Sequence, residues 1–463
     1  MDPEAVADEV TPTSGAQQEA SVPARPPASM AKSLFSSSVA NLMAPLAAFA
    51  TAPILSHTLG VDGRGEVAAA TAPFLLATVV ATIGIPEALT FFVARNVSAV
   101  KRAALSALWL LTLAGLASGV LVWFAAVVLA DGRIEIEQMI QLSAFAIVPT
   151  LFVSGLRGIA AGRGRWNTIT VERLIGSLFR LVPIAVLAVL GELTAFTAFL
   201  VIALAPIAGA VAYAGLLRVD DRALAASRAE GHESSVRLRE MLSYGSRIWI
   251  GSISGVLLSR LDQLLMIPQA GTYELGLYAV AVNVSEITLV LTAGVGTVVF
   301  ATDAKNRDNR RVGVTSRVTT LLSFAAALAI GVSMPVWLPI LFGAEFSAAI
   351  PSALILLAAI VVGTPGSVAG SVLGARGNPE LRSVALVIAA LCNTVILFLL
   401  VPALGAVGAA LATLAGNVIA ASMNLLWIKR RYGIPLGSML GLRRSDVRTL
   451  VAPVGRLLAR RRG

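Results

Sequence analysis

The sequence predicts an all-α polytopic membrane protein with about twelve transmembrane helices, arranged as six and six. Of its 463 residues, 57% are hydrophobic and only 13% are charged, whereas a soluble domain carries about a quarter charged residues. The apolar residues are clustered in blocks of roughly 20 to 27, long enough to cross about 30 Å of hydrocarbon. Lysines and arginines lie between these blocks and are concentrated in alternate connections.

The blocks predict helices and not the strands of a barrel. Backbone polar groups in lipid must be paired within the protein, which only helices and closed barrels achieve. Barrel strands would be short and would alternate polar with apolar residues, while these blocks are continuous and rich in Leu, Ala and Val. The predicted helices cover residues 34–56, 67–94, 104–130, 138–161, 170–190, 194–217, 244–268, 276–302, 314–336, 346–374, 380–401 and 405–428.

The charged residues orient this topology. With the N-terminus placed in the cytoplasm, every lysine and arginine lies on the cytoplasmic side except Arg64, Arg133, Arg180 and Arg260. This bias is the positive-inside pattern, and a wrong helix count would destroy it. It predicts a multi-pass protein of the plasma (inner) membrane with both termini in the cytoplasm. It also explains the net charge of +10 through attraction to anionic headgroups, so no nucleic-acid partner is expected.

Composition divides the chain into five regions. Residues 1–33 are polar and rich in Pro, Ala, Ser and Glu, which predicts a disordered cytoplasmic tail. An N-terminal six-helix lobe over 34–217 and a C-terminal six-helix lobe over 244–428 are joined by a cytoplasmic loop, 218–243. The tail 429–463 is basic, and its spaced leucines and valines are compatible with an amphipathic helix on the membrane surface or with a solvated segment.

The two lobes contain a weak internal sequence repeat. Gly60 and Gly65 precede an Ala-rich stretch, and Gly271 and Gly276 precede a similar one 211 residues later. Each glycine pair joins an odd helix to the next even helix at the outer face. Since six is an even number, both lobes enter the membrane in the same direction, as a parallel repeat requires.

Motifs for catalysis, metal binding or cofactor binding are missing from the sequence. The single cysteine, Cys392, lies within an apolar block, and the two histidines are far apart. There is no glycine-rich phosphate loop with a lysine. The protein is therefore not expected to be an enzyme, and neither a cofactor nor a metal is expected.

Ionisable residues inside the predicted helices are the candidate site residues, because a charge within a membrane is costly. Arg180 lies near the middle of helix 5, and Arg260 and Asp262 lie in the outer half of helix 7. Glu286 lies in the outer half of helix 8, and Glu87 follows a proline towards the inner end of helix 2. The alternative is that these charges neutralise one another between packed helices.

Arg260 and Glu286 are predicted to pair or to share a cavity. Counted from the outer ends of their helices, the two residues have similar depth. Arg260 and Asp262 are two residues apart and point to different sides of the helix, so they cannot pair well with each other.

The chain resembles the polysaccharide transporters of the multidrug/oligosaccharidyl-lipid/polysaccharide exporter superfamily, the O-antigen-type oligosaccharide flippases. The stretch SRLDQLLMIPQAGTYELGLYAVAVNVSE is similar to the family's helices 7 and 8, with matches at Asp262, Leu275, Gly276, Tyr278 and Ala281. The stretches LFGAEFSAAIPSALILL and GARGNPELRSVALVIAALCNTVILFLLVPALGAVGAALATLAGN resemble its helices 10 to 12, and LSHTLGVDGRGEVAAA resembles the first copy of the repeat without the tyrosine.

The resemblance implies two lobes around a central cavity and the flipping of a polyprenyl-diphosphate-linked oligosaccharide by alternating access coupled to an ion gradient. Cationic residues in such a cavity would hold the diphosphate, so Arg180 and Arg260 are the candidate substrate ligands. Asp262, Glu286 and Glu87 are the candidates for ion coupling. The expected partners are the lipid-linked oligosaccharide and membrane lipids, with glycosyltransferases or a polymerase of the same pathway as further candidates.

Two other functions remain open. A cation-coupled multidrug or small-molecule antiporter of the same superfamily would use carboxylates such as Asp262 and Glu286. A membrane-embedded glycan polymerase or ligase would need long outer loops, and the predicted outer loops are short, which disfavours it.

Overall fold

A computed structural model describes residues 27–95, 100–214 and 238–441, and the described chain is helical throughout apart from short turns. Three long helical stretches, Pro27–Ala81, Leu238–Asn306 and Pro379–Tyr432, each contain a non-helical glycine. We divide each stretch at that glycine. The described chain then contains twelve long helices, and all twelve predicted helices are confirmed.

The N-terminal lobe contains helices α1 to α6. The stretch Pro27–Ala81 gives α1 (27–59) and the first part of α2 (61–81), and α2 continues as Ile85–Arg95. The remaining helices are α3 (Val100–Leu129), α4 (Ile134–Gly162), α5 (Trp166–Leu190) and α6 (Ala195–Ala208, followed by the 3-10 turn Gly209–Tyr213).

The C-terminal lobe contains helices α7 to α12. The two divided stretches give α7 (238–270), α8 (272–306), α11 (379–404) and α12 (406–432). Between them lie α9 (Asn309–Phe342) and α10 (Ile350–Ala375), which follows the 3-10 turn Ala344–Ala349. A short helix, α13 (Leu436–Met439), packs against α9, where Ser316 donates a hydrogen bond of 3.0 Å to the Met439 carbonyl.

Sharp glycine turns join these helix pairs. Gly60 (φ 67°, ψ −170°) and Gly271 (φ 80°, ψ −176°) share one backbone conformation, in a region open only to glycine. The chain folds back at Gly271, because side chains 26 residues apart on α7 and α8 make contact. It also folds back at Gly405, since a Cβ atom added to Gly408 would lie 2.5 Å from the Leu400 carbonyl oxygen.

We call the end of the bundle that carries these three turns the outer end, following the predicted orientation, and the opposite end the inner end. By length and composition, eight helical stretches of the described chain could cross a membrane, and two of them contain a glycine turn. The stretch that holds α7 and α8 is not among the eight, and it is the stretch that carries Arg260, Asp262 and Glu286.

The predicted boundaries differ slightly from the observed ones. Helix α1 begins at Pro27, before the predicted start at residue 34, and α7 begins at residue 238, inside the predicted loop 218–243. Residues 1–26, most of that loop (215–237) and the tail from residue 442 onwards lie outside the described residues. The predicted amphipathic helix therefore lies outside them as well, apart from the start of the tail.

Candidate functional site between the two lobes

The outer ends of the two lobes meet through two reciprocal glycine contacts. A Cβ atom added to Gly65 would lie 1.9 Å from the carbonyl oxygen of Thr272, and one added to Gly276 would lie 2.1 Å from the carbonyl oxygen of Val61. Thr272 is 211 residues after Val61, and Gly276 is 211 residues after Gly65. The two copies of the internal repeat therefore contact each other symmetrically. Only glycine permits the two backbones to come this close.

Polar contacts reinforce this outer closure. Arg133 Nη1 donates to Thr272 Oγ1 at 2.6 Å, and Thr272 Oγ1 donates to Asp62 Oδ1 at 2.8 Å. On the other side, His57 Nε2 lies 3.2 Å from the carbonyl oxygen of Ile340. The turn between α3 and α4 and the last turn of α9 thus each contact the opposite lobe.

The lobes also touch towards the inner end. A Cβ atom added to Gly84 would lie 2.1 Å from the carbonyl oxygen of Gly245. Trp249 Nε1 donates to the carbonyl of Val80 at 3.0 Å, and Phe91 stacks on Tyr244 with ring centroids 4.3 Å apart. The seam between α2 and α7 is therefore closed at this level too.

Arg260 and Glu286 form the predicted ion pair. Arg260 Nη2 donates to Glu286 Oε1 at 2.6 Å, and the two side chains are 33% and 28% exposed. The pair joins α7 to α8. Because both side chains keep an accessible surface, neither is fully enclosed by the packing of the lobe.

Asp262 faces a different environment from Arg260, as predicted. Its side chain is buried, and its Oδ2 atom accepts hydrogen bonds from the Tyr278 hydroxyl and, at 3.2 Å, from Thr413 Oγ1. Its Oδ1 atom accepts from the backbone N–H of Gln263 at 2.7 Å. The carboxylate thus links α7, α8 and α12, and it is less accessible than Glu286.

Arg180 lies on α5 next to α1. Its Nε atom donates to Thr51 Oγ1 at 3.2 Å, and the half-buried guanidinium lies within electrostatic range of Glu286 and Arg260. Of the predicted residues, Arg260 and Glu286 are in contact, and Arg180 of the other lobe lies within electrostatic range of both. Thr51 is 211 residues before Asp262, so the repeat places a hydroxyl in one lobe where the other has a carboxylate.

Glu87 does not join this group. It is exposed in the first turn of the second part of α2, just after the Gly84 contact. Within the described ranges it makes no hydrogen bond or ion pair. Glu87 is therefore separate from Arg180, Arg260 and Glu286.

The sequence reasoning missed Arg64 and a second polar network. Arg64 was placed in an outer loop, but it is buried near the start of α2 with only 7% exposure. On the inner half of the N-terminal lobe, Arg157 binds the buried Glu172 through two hydrogen bonds of 2.8 and 3.1 Å, and Tyr213 donates to the same carboxylate at 3.3 Å. Glu172 lies in the predicted helix 5. A carboxylate within an apolar block was therefore the sequence feature that could have revealed this network.

The arrangement can bind an anion. Arg180 lies within electrostatic range of Arg260, and Glu286, which is paired with Arg260, is partly accessible. Guanidinium groups recognise phosphate and carboxylate oxygens through paired N–H donors. Among the described residues, no group of three His, Cys, Asp or Glu side chains is placed to hold a metal ion.

Comparison with known proteins places the chain in a family. The family model described as "Polysaccharide biosynthesis protein" matches residues 30–302, more than half of the chain. The chain therefore belongs to this family. No curated protein sequence matches it.

Solved structures of transporters share its fold. A multidrug resistance MATE family transporter of the MOP superfamily in an inward-facing conformation has a TM-score of 0.65 and 16% identity, covering 87% of this chain and 95% of that one. The lipid II flippase MurJ in an inward closed conformation has a TM-score of 0.68 and 13% identity, covering 87% and 88%. A MOP superfamily transporter from Pyrococcus furiosus has a TM-score of 0.55 and 14% identity, covering 89% and 96%.

Proposed function

We propose that this member of the polysaccharide biosynthesis protein family is a transporter that flips a polyprenyl-diphosphate-linked oligosaccharide. It would carry the glycan from the inner to the outer leaflet of the plasma membrane for the assembly of a cell-surface polysaccharide. Both termini would lie in the cytoplasm, where glycosyltransferases of the same pathway deliver the substrate. The family assignment and the two-lobed fold support transport.

The observation that carries the proposal is the arginine group at the seam. Arg180 comes from the N-terminal lobe and Arg260 from the C-terminal lobe, and both keep accessible surface. A diphosphate offers several oxygens to paired N–H donors, so it could be held by both lobes at once. A neutral or cationic substrate would gain nothing from these two guanidiniums.

The geometry of the seam supports an alternating-access mechanism. The outer closure rests on the contacts of Gly65 and Gly276, and the inner one on Gly84 and Gly245. Both are contacts between lobes, so rocking one lobe against the other opens one end while the other stays closed.

Ion coupling would use the Arg260–Glu286 pair. An incoming diphosphate competes with Glu286 for Arg260, and the released carboxylate then binds a proton or a metal cation from the gradient. Asp262, two residues from Arg260, and Glu87, near the inner contact, are further candidates. In this scheme the substrate binds Arg260 and the coupling ion binds Glu286, the two partners of one ion pair.

Loss of the chain tests the proposal directly. Cells that lack it should accumulate a lipid-linked oligosaccharide on the inner leaflet, and an unchanged distribution would refute the flippase function. Arg180→Ala should abolish export while the protein still reaches the membrane. Arg310→Ala, which removes an exposed arginine at the inner end of α9, is the matched control and should export normally.

A cation-coupled multidrug or small-molecule antiporter is the second candidate, and the match to multidrug transporter structures supports it. An antiporter would change resistance to cationic compounds on deletion and leave lipid-linked oligosaccharides unchanged. A glycan polymerase or ligase is disfavoured. Each connection at the outer end of the described helices is a turn of a few residues, with no room for a catalytic loop.

A further inference from the structure

A cavity of about 440 Å³ opens at the inner end of the C-terminal lobe, where α11 begins and α12 ends. Volumes of roughly 300–1,000 Å³ are typical of small-ligand pockets. The lining of this cavity contains none of the candidate transport residues and consists of Asn378, Glu380, Leu381, Trp427, Arg430 and Arg431. It is therefore a feature of its own, separate from the site between the lobes.

The cavity lies at the depth of the phospholipid headgroups. Gly405 divides a 54-residue helical stretch almost in half, so α11 and α12 are each roughly 40 Å long. A bilayer is about 30 Å thick in its hydrocarbon core and about 40–45 Å thick with its headgroup regions. The start of α11 and the end of α12 therefore lie among the headgroups. Trp427 agrees with this depth, since tryptophan is enriched at membrane interfaces.

A network of polar contacts holds one side of the cavity. The Tyr432 hydroxyl donates to Asn378 Oδ1 at 2.6 Å, and Asn378 Nδ2 donates to Glu380 Oε1 at 3.2 Å. The Arg376 guanidinium lies 4.9 Å from the centroid of the Tyr432 ring, and its charge is offset by Asp303 at 2.7 Å. The end of α12 and the start of α11 are thus fixed to each other, and the Glu380 carboxylate is held at the rim of the cavity.

The cavity carries charges of both signs that are not paired with each other. Arg430 and Arg431 follow Trp427 by three and four residues, so the three side chains lie on the same side of α12. Both arginines and Glu380 are exposed. Within the part of the chain that the structure describes, neither arginine side chain forms a hydrogen bond or an ion pair, and Glu380 accepts only from Asn378. A ligand with one anionic and one cationic group would satisfy both kinds of charge.

An apolar stripe leads from the cavity along one side of α11. Leu381 lines the cavity, and Val384, Ile388 and Leu391 follow it at spacings of three, four and three residues, which places all four on one side of the helix. Val384, Ile388 and Leu391 are exposed, as expected of side chains that face lipid. Acyl chains attached to a headgroup in the cavity therefore have an apolar surface to pack against.

We propose that this cavity binds phosphatidylethanolamine, a phospholipid whose headgroup carries both a phosphate and a primary ammonium group. The phosphate accepts charge-assisted hydrogen bonds from Arg430 and Arg431, the ammonium donates to Glu380, and the acyl chains lie along the stripe that starts at Leu381. Phosphatidylcholine has the same charges, but its quaternary ammonium has no N–H to donate. Phosphatidylglycerol has the phosphate without a cation. The site therefore selects against both, and it does not depend on the proposed transport of a glycan.

The test measures binding of three dioleoyl phospholipids to the delipidated full-length protein in detergent by native mass spectrometry. Phosphatidylethanolamine should bind about tenfold more tightly than phosphatidylcholine or phosphatidylglycerol, the gain expected from one charge-assisted hydrogen bond. Equal binding of phosphatidylethanolamine and phosphatidylcholine would overturn the proposal. Tighter binding of phosphatidylglycerol would assign the cavity to anionic lipid and would overturn it as well.

Variants assign the two charges of the headgroup to their partners. Glu380→Gln should remove most of the preference for phosphatidylethanolamine and should strengthen the binding of phosphatidylglycerol, because the carboxylate no longer repels a net anionic headgroup. Arg430→Gln and Arg431→Gln should each weaken the binding of all three lipids about tenfold, since all three carry the phosphate. Lys429→Gln, at an exposed cation next to Arg430 that does not line the cavity, is the matched control. An unchanged lipid preference in Glu380→Gln would refute the site.

Thermal unfolding separates lipid binding from a purely structural role. The substituted side chains are exposed, so the variants should unfold at the wild-type temperature without lipid. Phosphatidylethanolamine should then raise the unfolding temperature of the wild type more than that of Glu380→Gln. If Glu380 serves only the fold through its contact with Asn378, Glu380→Gln unfolds at a lower temperature and gains as much from the lipid as the wild type does, which contradicts the site.

Discussion

Arg260 and Glu286 are 26 residues apart in the sequence, and their side chains meet at 2.6 Å across the hairpin formed at Gly271. Both belong to the C-terminal lobe, and both are partly exposed towards the seam where Arg180 of the other lobe lies. This pair is therefore the part of the C-terminal lobe that lies within electrostatic range of a charged side chain of the other lobe.

Exchanging the two charges tests the pair. Arg260→Glu and Glu286→Arg should each reduce export about tenfold or more, because like charges in contact cost several kcal/mol and about 1.4 kcal/mol is a factor of ten. The double variant should recover much of the loss. Export would be measured at matched protein levels in the membrane, and an absence of rescue would contradict a functional pair.

The outer closure should depend on two glycines. Gly65→Ala and Gly276→Ala each place a Cβ atom about 2 Å from a backbone carbonyl oxygen, so the outer ends can no longer meet. Spin labels at Thr58→Cys and Tyr273→Cys, in a Cys392→Ser background, should report longer distances. Gly437→Ala, where an added Cβ atom meets nothing within 4 Å, is the control, and an unchanged distance in all variants would contradict the closure.

Thr272 should stabilise the closed outer end through its hydroxyl. Thr272→Val removes both the bond from Arg133 and the bond to Asp62, which together contribute about 1–3 kcal/mol. The same labels should show a shift towards the open population. Thr78→Val is a matched control, because the Thr78 hydroxyl bonds only within its own helix, to the Phe74 carbonyl; equal shifts in both variants would exclude a specific role for Thr272.

Asp262 can be tested as an ion-coupling residue. Asp262→Asn keeps the shape of the side chain but removes the charge, so export should lose its dependence on an imposed ion gradient. Export by proteoliposomes with and without the gradient measures this. Glu345→Gln, at an exposed carboxylate in the turn before α10, should remain gradient-dependent. A gradient dependence retained by Asp262→Asn would confine Asp262 to holding α7, α8 and α12 together.

An ion pair with buried side chains should stabilise the C-terminal lobe. Arg376 binds Asp303 through two hydrogen bonds of 2.7 and 2.9 Å, and both side chains are 5% exposed. Asp303→Asn leaves a buried cation and should lower the free energy of unfolding by about 3–5 kcal/mol. Arg311→Gln breaks an exposed pair with Asp308 and should cost no more than about 1 kcal/mol. Similar melting temperatures for the two variants would contradict the expected difference in their stability.

The sequence alone determined the twelve helices and the glycine-containing joins of two helix pairs, α1–α2 and α7–α8, while the turn at Gly405 came only from the structure. Crossing a membrane requires a local excess of apolar residues, so each helix can be recognised within its own segment. It also determined the Arg260–Glu286 pair, because adjacent helices joined by a short turn bring residues of equal depth together. The orientation of the bundle in the membrane stays a prediction.

Only the tertiary structure decided where the remaining charges lie. Arg64 was assigned to an outer loop and is buried near the start of α2, and Glu172 is paired with Arg157 across two helices. Their environments depend on how helices from separate segments pack, which hydropathy does not encode. The reciprocal contact of Gly65 with Thr272 is the clearest case: the sequence contained two similar glycine pairs, but only the packing of one lobe against the other brought them together.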